Sequence, residues 1–452
     1  MRLAPLLPLL AALVLAADDT TSSASSSYQS KTTISDTKSF LTLDGTVTGT
    51  VSEPATRTGH YITYTSTKTL STNHGGMANL TSDTGSASTG NSTHTTSTDS
   101  MTRLVGNNTV NATRTATNTA SSSPPVVNTQ PCNGYAELCA RNYSNITMVA
   151  AHNSPFVKLG NIAANQALHV ETQLNDGIRM LQFQTHLING TVKLCHTSCD
   201  LLDVGTLESY LTTVARWMKD HPYDVVTILI GNYDYVDPGN FTEPIKNSGL
   251  MDMVYTPPKI PMGLHDWPTL STMILSGRRA VVFMDYQANQ TAYPWLMDEF
   301  SQMWETPFSP TDRNFPCTVQ RPPGLQPPGA SNRLYMANHN LNLELNVANL
   351  NLLIPNMALL NQTNAADGFG SLGWMATNCT RDHDRPPNFL LVDYYNYGKV
   401  NGSVFQVAAD MNNVTYNGKC CGTTSGGWSV TPQSMTVSMV LIAGVQYLVS
   451  IF

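Results

Sequence analysis

Residues 224–232, Asp-Val-Val-Thr-Ile-Leu-Ile-Gly-Asn, decide the fold. A strand with one wet face alternates apolar and polar side chains. This stretch barely alternates, so it reads as a strand covered on both faces, as in a parallel sheet flanked by helices. Its neighbours agree. Residues 205–222 spell a helix in which Leu207, Leu211, Val214 and Met218 share one face, with Pro222 after its end. Before it come a buried strand at 145–151, a helix over 163–177 ending at Gly177, and a strand over 178–187. After it come a helix at 269–276, strands at 279–286, 333–340 and 388–396, and a helix at 402–412. Repeated strand–helix alternation over about 290 residues favours an α/β domain, either a closed parallel barrel or a doubly wound sheet. No Gly-rich fingerprint follows a strand, which disfavours a nucleotide-binding sheet.

Both architectures gather active groups at the C-terminal ends of their strands. There the sequence places His152 and Asn153, then Gln182, Gln184 and His186, then Asn232, Asp285 and Asp393. Polar groups just past apolar strands are costly to bury unless satisfied, so they read as the lining of a pocket.

The two flanks set the compartment. Residues 1–17 combine Arg2, an apolar run and small residues at Ala16 and Ala17, the pattern of a secretory signal peptide. Residues 18–130 are dominated by Ser, Thr, Asn and Gly without a hydrophobic period, which reads as a disordered, glycosylated stalk. The folded domain is assigned to 131–421. Residues 422–452 place small residues, a polar spacer and an uncharged apolar tail in the order of a glycosylphosphatidylinositol (GPI) anchor signal, with Ser425 and Gly426 as candidate attachment points. Thirteen Asn-x-Ser/Thr sequons, Asn142, Asn145, Asn189, Asn378 and Asn413 among them, suit an exported chain. The expected location is extracellular, at the plasma membrane or cell wall.

Export makes disulfides the default for the eight cysteines. Cys195-His196-Thr197-Ser198-Cys199 lacks the paired Cys-x₂-Cys spacing of a zinc site, so a Cys195–Cys199 disulfide that steadies His196 is expected, with Cys132–Cys139 as a second local pair. Cys317, Cys379, Cys420 and Cys421 leave three connectivities open. A net charge of −7 argues against nucleic acid as partner. The Gly-x-Ser-x-Gly, His-Glu-x-x-His and Gly-Lys-Ser/Thr motifs are absent.

His152 and His196 suit general acid–base work near neutral pH, because imidazole titrates there. Their setting carries more information than the pair alone. The first strand with its His-Asn, the Asp-Gly-Ile-Arg entry to the second, and a histidine 44 residues after the first resemble the X-type domain of phosphatidylinositol-specific phospholipases C. The whole stretch 145–413 is similar to the secreted, GPI-anchored PLC-like phosphodiesterases of fungi. That resemblance implies an irregular, TIM-like (β/α) barrel and a phosphoinositide or GPI-type lipid as substrate, with the outer membrane leaflet reached through the lipid anchor. It implies His152 as the base that deprotonates an inositol hydroxyl and His196 as the acid for the leaving alcohol.

The sequence also departs from that family. Eukaryotic members neutralise the phosphorane with Ca²⁺ held by acidic residues, and bacterial members use an arginine and an aspartate on the second strand. Here those positions hold Gln182, Gln184 and Asn232, and only Asn153 remains of the calcium set. Amide oxygens alone bind Ca²⁺ weakly, so no conventional metal site and no cofactor is expected. His186, in phase with Gln182 and Gln184, is the candidate replacement cation, and Lys193 is a second. Asp393 either fixes the His152 tautomer or caps loop amides. The competing readings are a degenerate surface protein that binds inositol phosphates or glycans, and a wall spacer.

Overall fold

The computed structural model describes residues 61–64, 66–70, 130–158, 160–347, 350–400, 402–418 and 420–421. The signal peptide, most of the stalk and the anchor signal expected from the sequence lie outside the described residues. Among the described residues fourteen strands are defined: β1 (Lys68–Thr69), β2 (Met148–Ala151), β3 (Met180–Ile188), β4 (Thr191–Cys195), β5 (Asp203–Thr206), β6 (Val226–Asn232), β7 (Lys259–Ile260), β8 (Ala280–Met284), β9 (Leu296–Asp298), β10 (Met303–Glu305), β11 (Leu334–Asn338), β12 (Asn342–Val347), β13 (Leu350–Pro355) and β14 (Phe389–Val392). Eight of them form one parallel run in the order β10-β11-β14-β2-β3-β6-β8-β9.

The period of two sorts the side chains of these strands. Met148, Ala150, Met180, Leu229, Phe283, Met297, Met303, Met336 and Leu391 meet in one cluster inside the curl. Tyr143 and Trp267 belong to that cluster and plug its N-terminal end, where the Tyr143 hydroxyl lies 2.6 Å from the Thr227 hydroxyl. The alternate residues Val149, Ala151, Leu181, Ile228, Ile230, Val282, Leu390 and Val392 pack outward against the helices. Helix Leu207–Asp220 shows the match of sequence to packing. Thr206 caps it by accepting from the Ser209 amide, and it buries Leu207, Leu211, Val214 and Met218.

The barrel is not closed, which corrects the expectation from the sequence. Among the described residues the edge strands β9 and β10 do not pair, and the sheet is a curled, open version of a TIM-like barrel. The reason is chain length. A parallel neighbour needs a crossover of about a dozen residues, and only the single helical turn Glu299–Gln302 joins β9 to β10. That turn is fully buried, with Asp298 accepting from the Ser301 amide as its cap. A second correction concerns the helix expected over 163–177. It spans only Val170–Asp176, because Asn165 and Gln166 turn their side chains inward to the strand ends instead.

Part of the segment read as stalk lies on the domain. Tyr61 sets its ring against Phe300 (4.9 Å) and Tyr286 (5.8 Å), beside the open edge. β1 pairs antiparallel with β7. Cys132–Cys139 and Cys195–Cys199 are bonded as expected, and the remaining cysteines pair as Cys317–Cys379 and Cys420–Cys421.

Candidate active site

β2 and β14 are neighbours, with Ala151 opposite Val392. His152 and Asp393 are the next residues on each, so the sheet register alone brings them together. The His152 Nδ1 lies 2.8 Å from Asp393 Oδ1. Gln166 fixes both backbones, donating from Nε2 to the carbonyls of His152 (2.8 Å) and Val392 (3.0 Å). Asn165 Nδ2 donates to the same Asp393 oxygen at 2.9 Å. A buried carboxylate beside Nδ1 assigns the proton to that nitrogen and leaves the Nε2 lone pair free to take another. Of the two roles open to Asp393, the orienting one therefore has the geometry.

His196 comes from the other direction. β4 and β5 extend β3 as an antiparallel flap, and the Cys195–Cys199 disulfide closes the loop between them. The imidazole stacks on Phe156 at 5.1 Å and its Nδ1 donates to the Ala163 carbonyl at 2.5 Å. Burial pulls its pKa down to about 4; the Ala163 carbonyl opposes this and His152 adds to it.

Asn153 joins the two rings. Its Nδ2 lies 3.2 Å from His152 Nε2 and 3.2 Å from His196 Nε2. The two Nε2 atoms thus face one point, no more than two hydrogen bonds apart. The same Nδ2 is 3.2 Å from Asn165 Oδ1, so two N–H groups serve three acceptors, while Asn153 Oδ1 is buried without a partner. Asn153 takes a left-handed backbone (φ 48°), and its amide donates to Gln182 Oε1 at 2.9 Å. Gln182 is buried and Gln184 half-buried on the same face of β3.

His186 is held by a residue that sequence reasoning missed. Its Nδ1 lies 3.0 Å from Asp234 Oδ1, and the other Asp234 oxygen accepts from the Leu187 amide at 2.8 Å. The ring lies 4.6 Å from Tyr233, and Nε2 is buried without a hydrogen-bond partner. This is a second histidine–carboxylate pair, close enough to His196 to lower its pKa. Lys193 sits opposite His186 across the β3–β4 ladder, but its Nζ is engaged by Asp203 at 2.5 Å. Asn232 spends its amide on the loop after β6, accepting from the Val236 amide and donating to the Val236 and Tyr286 carbonyls. Asp285 accepts from the Asn232 and Tyr286 amides, and burial raises its pKa to about 6.

The residues at the family's calcium positions do not fit a hard divalent cation. Gln182 Oε1 and Asn232 Oδ1 are already accepting backbone amides, and only Asn153 Oδ1 lacks a partner. A single neutral oxygen is far from the six to eight oxygens, several of them anionic, that Ca²⁺ takes.

The PI-PLC X 1 family model matches residues 138–412. The chain belongs to the PI-PLC X family. An "Uncharacterized secreted protein" of Arthroderma benhamiae is 62% identical over 366 residues, covering 78% of this chain and 82% of the relative. The "PI-PLC X domain-containing protein 1" of the same fungus is 43% identical over 272 residues, 60% of this chain and 86% of the relative. Among solved structures, the phosphatidylinositol-specific phospholipase C of Listeria monocytogenes aligns with 12% identity and a TM-score of 0.41, over 62% of this chain and 96% of that one. No helix among the described residues is long and apolar enough to cross a membrane.

Asn165, Gln166 and Asp234 are the site residues that the sequence did not single out. Asp234 lies two residues past a strand end that was already marked, so a wider window there would have found it. Asn165 and Gln166 were hidden in a stretch read as helix.

Proposed function

We propose that this PI-PLC X family member is an extracellular phosphodiesterase that cleaves inositol phospholipids or GPI-type lipids by proton transfer between His152 and His196. The observation that carries the reading is the shared approach of both Nε2 atoms to Asn153 Nδ2. His152 Nε2, its ring oriented by Asp393, takes the proton from an inositol hydroxyl. That oxygen bonds to the adjacent phosphorus as the bond from phosphorus to the diacylglycerol oxygen breaks. His196 gives its Nε2 proton to the departing oxygen, and a cyclic inositol phosphate is left.

The phosphorane needs positive charge nearby. We assign that role to the His186 ring, which Asp234 holds at Nδ1. Turnover is accordingly independent of calcium. An anionic phosphodiester between the rings also opposes the depression of the His196 pKa, because an opposite charge within reach favours the protonated form. The extracellular setting rests on the 62% identical secreted relative and on four disulfides. Lipid anchoring rests on the sequence of residues 422–452.

A second reading, a binding protein without turnover, draws on the pKa of about 4 at His196, which leaves the proposed acid neutral at pH 7 in the free protein. Purified protein is incubated with phosphatidylinositol vesicles, with and without EDTA, and the products are followed by phosphorus NMR. Cyclic phosphate release that survives EDTA and vanishes in His152→Ala supports the enzyme. Saturable binding without release supports the second reading and rejects the first.

A further inference from the structure

We propose that Tyr61, in the segment ahead of the domain, is a positioning residue for the candidate site: through Tyr286 and Tyr235 its ring holds the loop after β6 whose Asp234 aligns His186. The proposal rests on the phosphodiesterase reading, in which the His186 ring serves the phosphorane. Tyr61 lies well ahead of residues 138–412, the span that the family model matches, so the family pattern gives it no role.

The segment is seated at several points. Leu70 donates its amide to the Pro258 carbonyl at 2.7 Å, β1 pairs with β7, and Ile62 packs against the apolar cluster beneath the helices. At its start the half-buried Tyr61 ring meets two fully buried rings edge-on, Phe300 at 4.9 Å and Tyr286 at 5.8 Å. Those two rings lie 5.6 Å from each other. Tyr61 thus completes a cluster of three rings at the open edge of the sheet.

Tyr286 carries the contact inward. Its ring lies 5.1 Å from that of Tyr235, and its carbonyl accepts from Asn232 Nδ2 at 3.1 Å. Tyr235 has a left-handed backbone, φ 54°, which an aromatic residue keeps only where its surroundings fix it. Asn232 closes the loop on itself. Its carbonyl accepts from the Tyr235 amide at 3.1 Å, and its Oδ1 accepts from the Val236 amide at 3.1 Å.

Asp234 sits between these anchors. Both of its oxygens reach back to β3, one 3.0 Å from His186 Nδ1 and the other accepting from the Leu187 amide at 2.8 Å. Tyr233, in the same loop, lays its ring 4.6 Å from the imidazole. His186 Nε2 is buried without a hydrogen-bond partner, so the ring takes its hydrogen-bonded orientation from Asp234. Asp234 is exposed and gains no restraint from burial. Its place depends on the turn at Tyr235, and that turn leans on Tyr286 and, behind it, on Tyr61. A loop that gave up the left-handed turn would carry Asp234 away from His186.

The full chain is compared with three variants, Tyr61→Ala, Tyr61→Phe and Met273→Ala. Met273 is buried on helix Leu270–Leu275, which leads into β8 at the other end of the barrel, so its truncation lowers stability without touching the loop. In Tyr61→Ala, amide exchange at Tyr235 and Val236 is expected to quicken at least fivefold and the His186 ring-nitrogen resonances to shift. On phosphatidylinositol vesicles kcat is expected to fall about tenfold, with KM within a factor of two. Tyr61→Phe keeps both ring contacts and is expected to match the wild type in every readout. Met273→Ala is expected to lower the melting temperature and leave loop exchange and kcat unchanged.

Unchanged exchange at Tyr235 and Val236 in Tyr61→Ala overturns the proposal, as does a Tyr61→Phe chain as slow as Tyr61→Ala. An equal loss of kcat in Met273→Ala overturns it too, because lost stability would then account for the effect. Quickened exchange and a shifted His186 resonance in a chain that releases no cyclic phosphate leave the positioning standing and remove the enzyme reading. Turnover that Tyr61→Ala leaves at the wild-type rate does the reverse.

Discussion

Replacing Asp393 by asparagine keeps the shape of the site and removes one charge. The carboxylate is buried, its Oδ1 2.8 Å from His152 Nδ1 and 2.9 Å from Asn165 Nδ2. An asparagine Oδ1 can still accept from both, so the fold and the ground state change little. The cost falls where His152 becomes an imidazolium. Its positive charge then sits about 4 Å from the carboxylate centre, an attraction of roughly 4 kcal/mol at an effective dielectric of about 20. Losing it corresponds to about three decades in rate at 1.36 kcal/mol per decade. Asparagine can also turn its amide and present a donor to Nδ1, which would move the ring proton to Nε2 and disarm the base outright. The assay is release of cyclic inositol phosphate by wild type and Asp393→Asn under saturating substrate, with nitrogen NMR of the imidazole to read which ring nitrogen carries the proton. We expect kcat to fall about a thousandfold, KM to hold within a factor of three, and the melting temperature to stay within a few degrees. A fall in kcat below fivefold, or an unchanged tautomer together with unchanged kcat, would show that Asp393 serves only as a loop cap.

Three further outcomes follow from other parts of the molecule. Asp285 titrates near 6 in the folded chain and near 4 unfolded, so the folded state holds the proton more tightly and loses stability as pH rises through that window; Asp285→Asn should therefore raise the melting temperature more at pH 8 than at pH 5, and an equal effect at both would refute the burial cost. Tyr61→Ala removes two ring contacts at the open edge of the sheet, about 0.5–1.5 kcal/mol each, and should lower the midpoint of urea unfolding; no change would mean the segment contributes nothing to the domain. Cys195→Ser with Cys199→Ser frees the loop that holds His196; activity should fall at least tenfold with little change in melting temperature, whereas full activity would mean that Phe156 and the Ala163 carbonyl position the ring by themselves.

Strand identity was legible because burial on both faces writes itself into composition. Residues 224–232 and 388–396 have the apolar content that their positions demand, and β6 and β14 appear there. The ends of the strands also marked His152, Gln182, His186 and Asp393 of the candidate site, whereas Asn232 and Asp285, equally placed, serve the backbone of the loops after β6 and β8. Closure of the barrel was not legible, because it depends on β9 and β10, strands of three residues each, too short to leave a period. Side-chain partners were legible only where a ladder aligns them. His152 and Asp393 are adjacent by register, whereas His186 finds Asp234 through the shape of a loop. Lys193 shows the limit most clearly: its proximity to the site was readable, but Asp203, ten residues away and across a hairpin, decides what its charge does.

The Cys317–Cys379 bridge spans 62 residues and encloses β11 together with the β12–β13 hairpin. Any extracellular protease that nicks the chain between those two cysteines leaves both fragments covalently joined. A clipped molecule would migrate as one band until a reductant is added, and β11 would keep its place between β10 and β14. Wear within that loop is therefore separated from dissolution of the sheet beneath it.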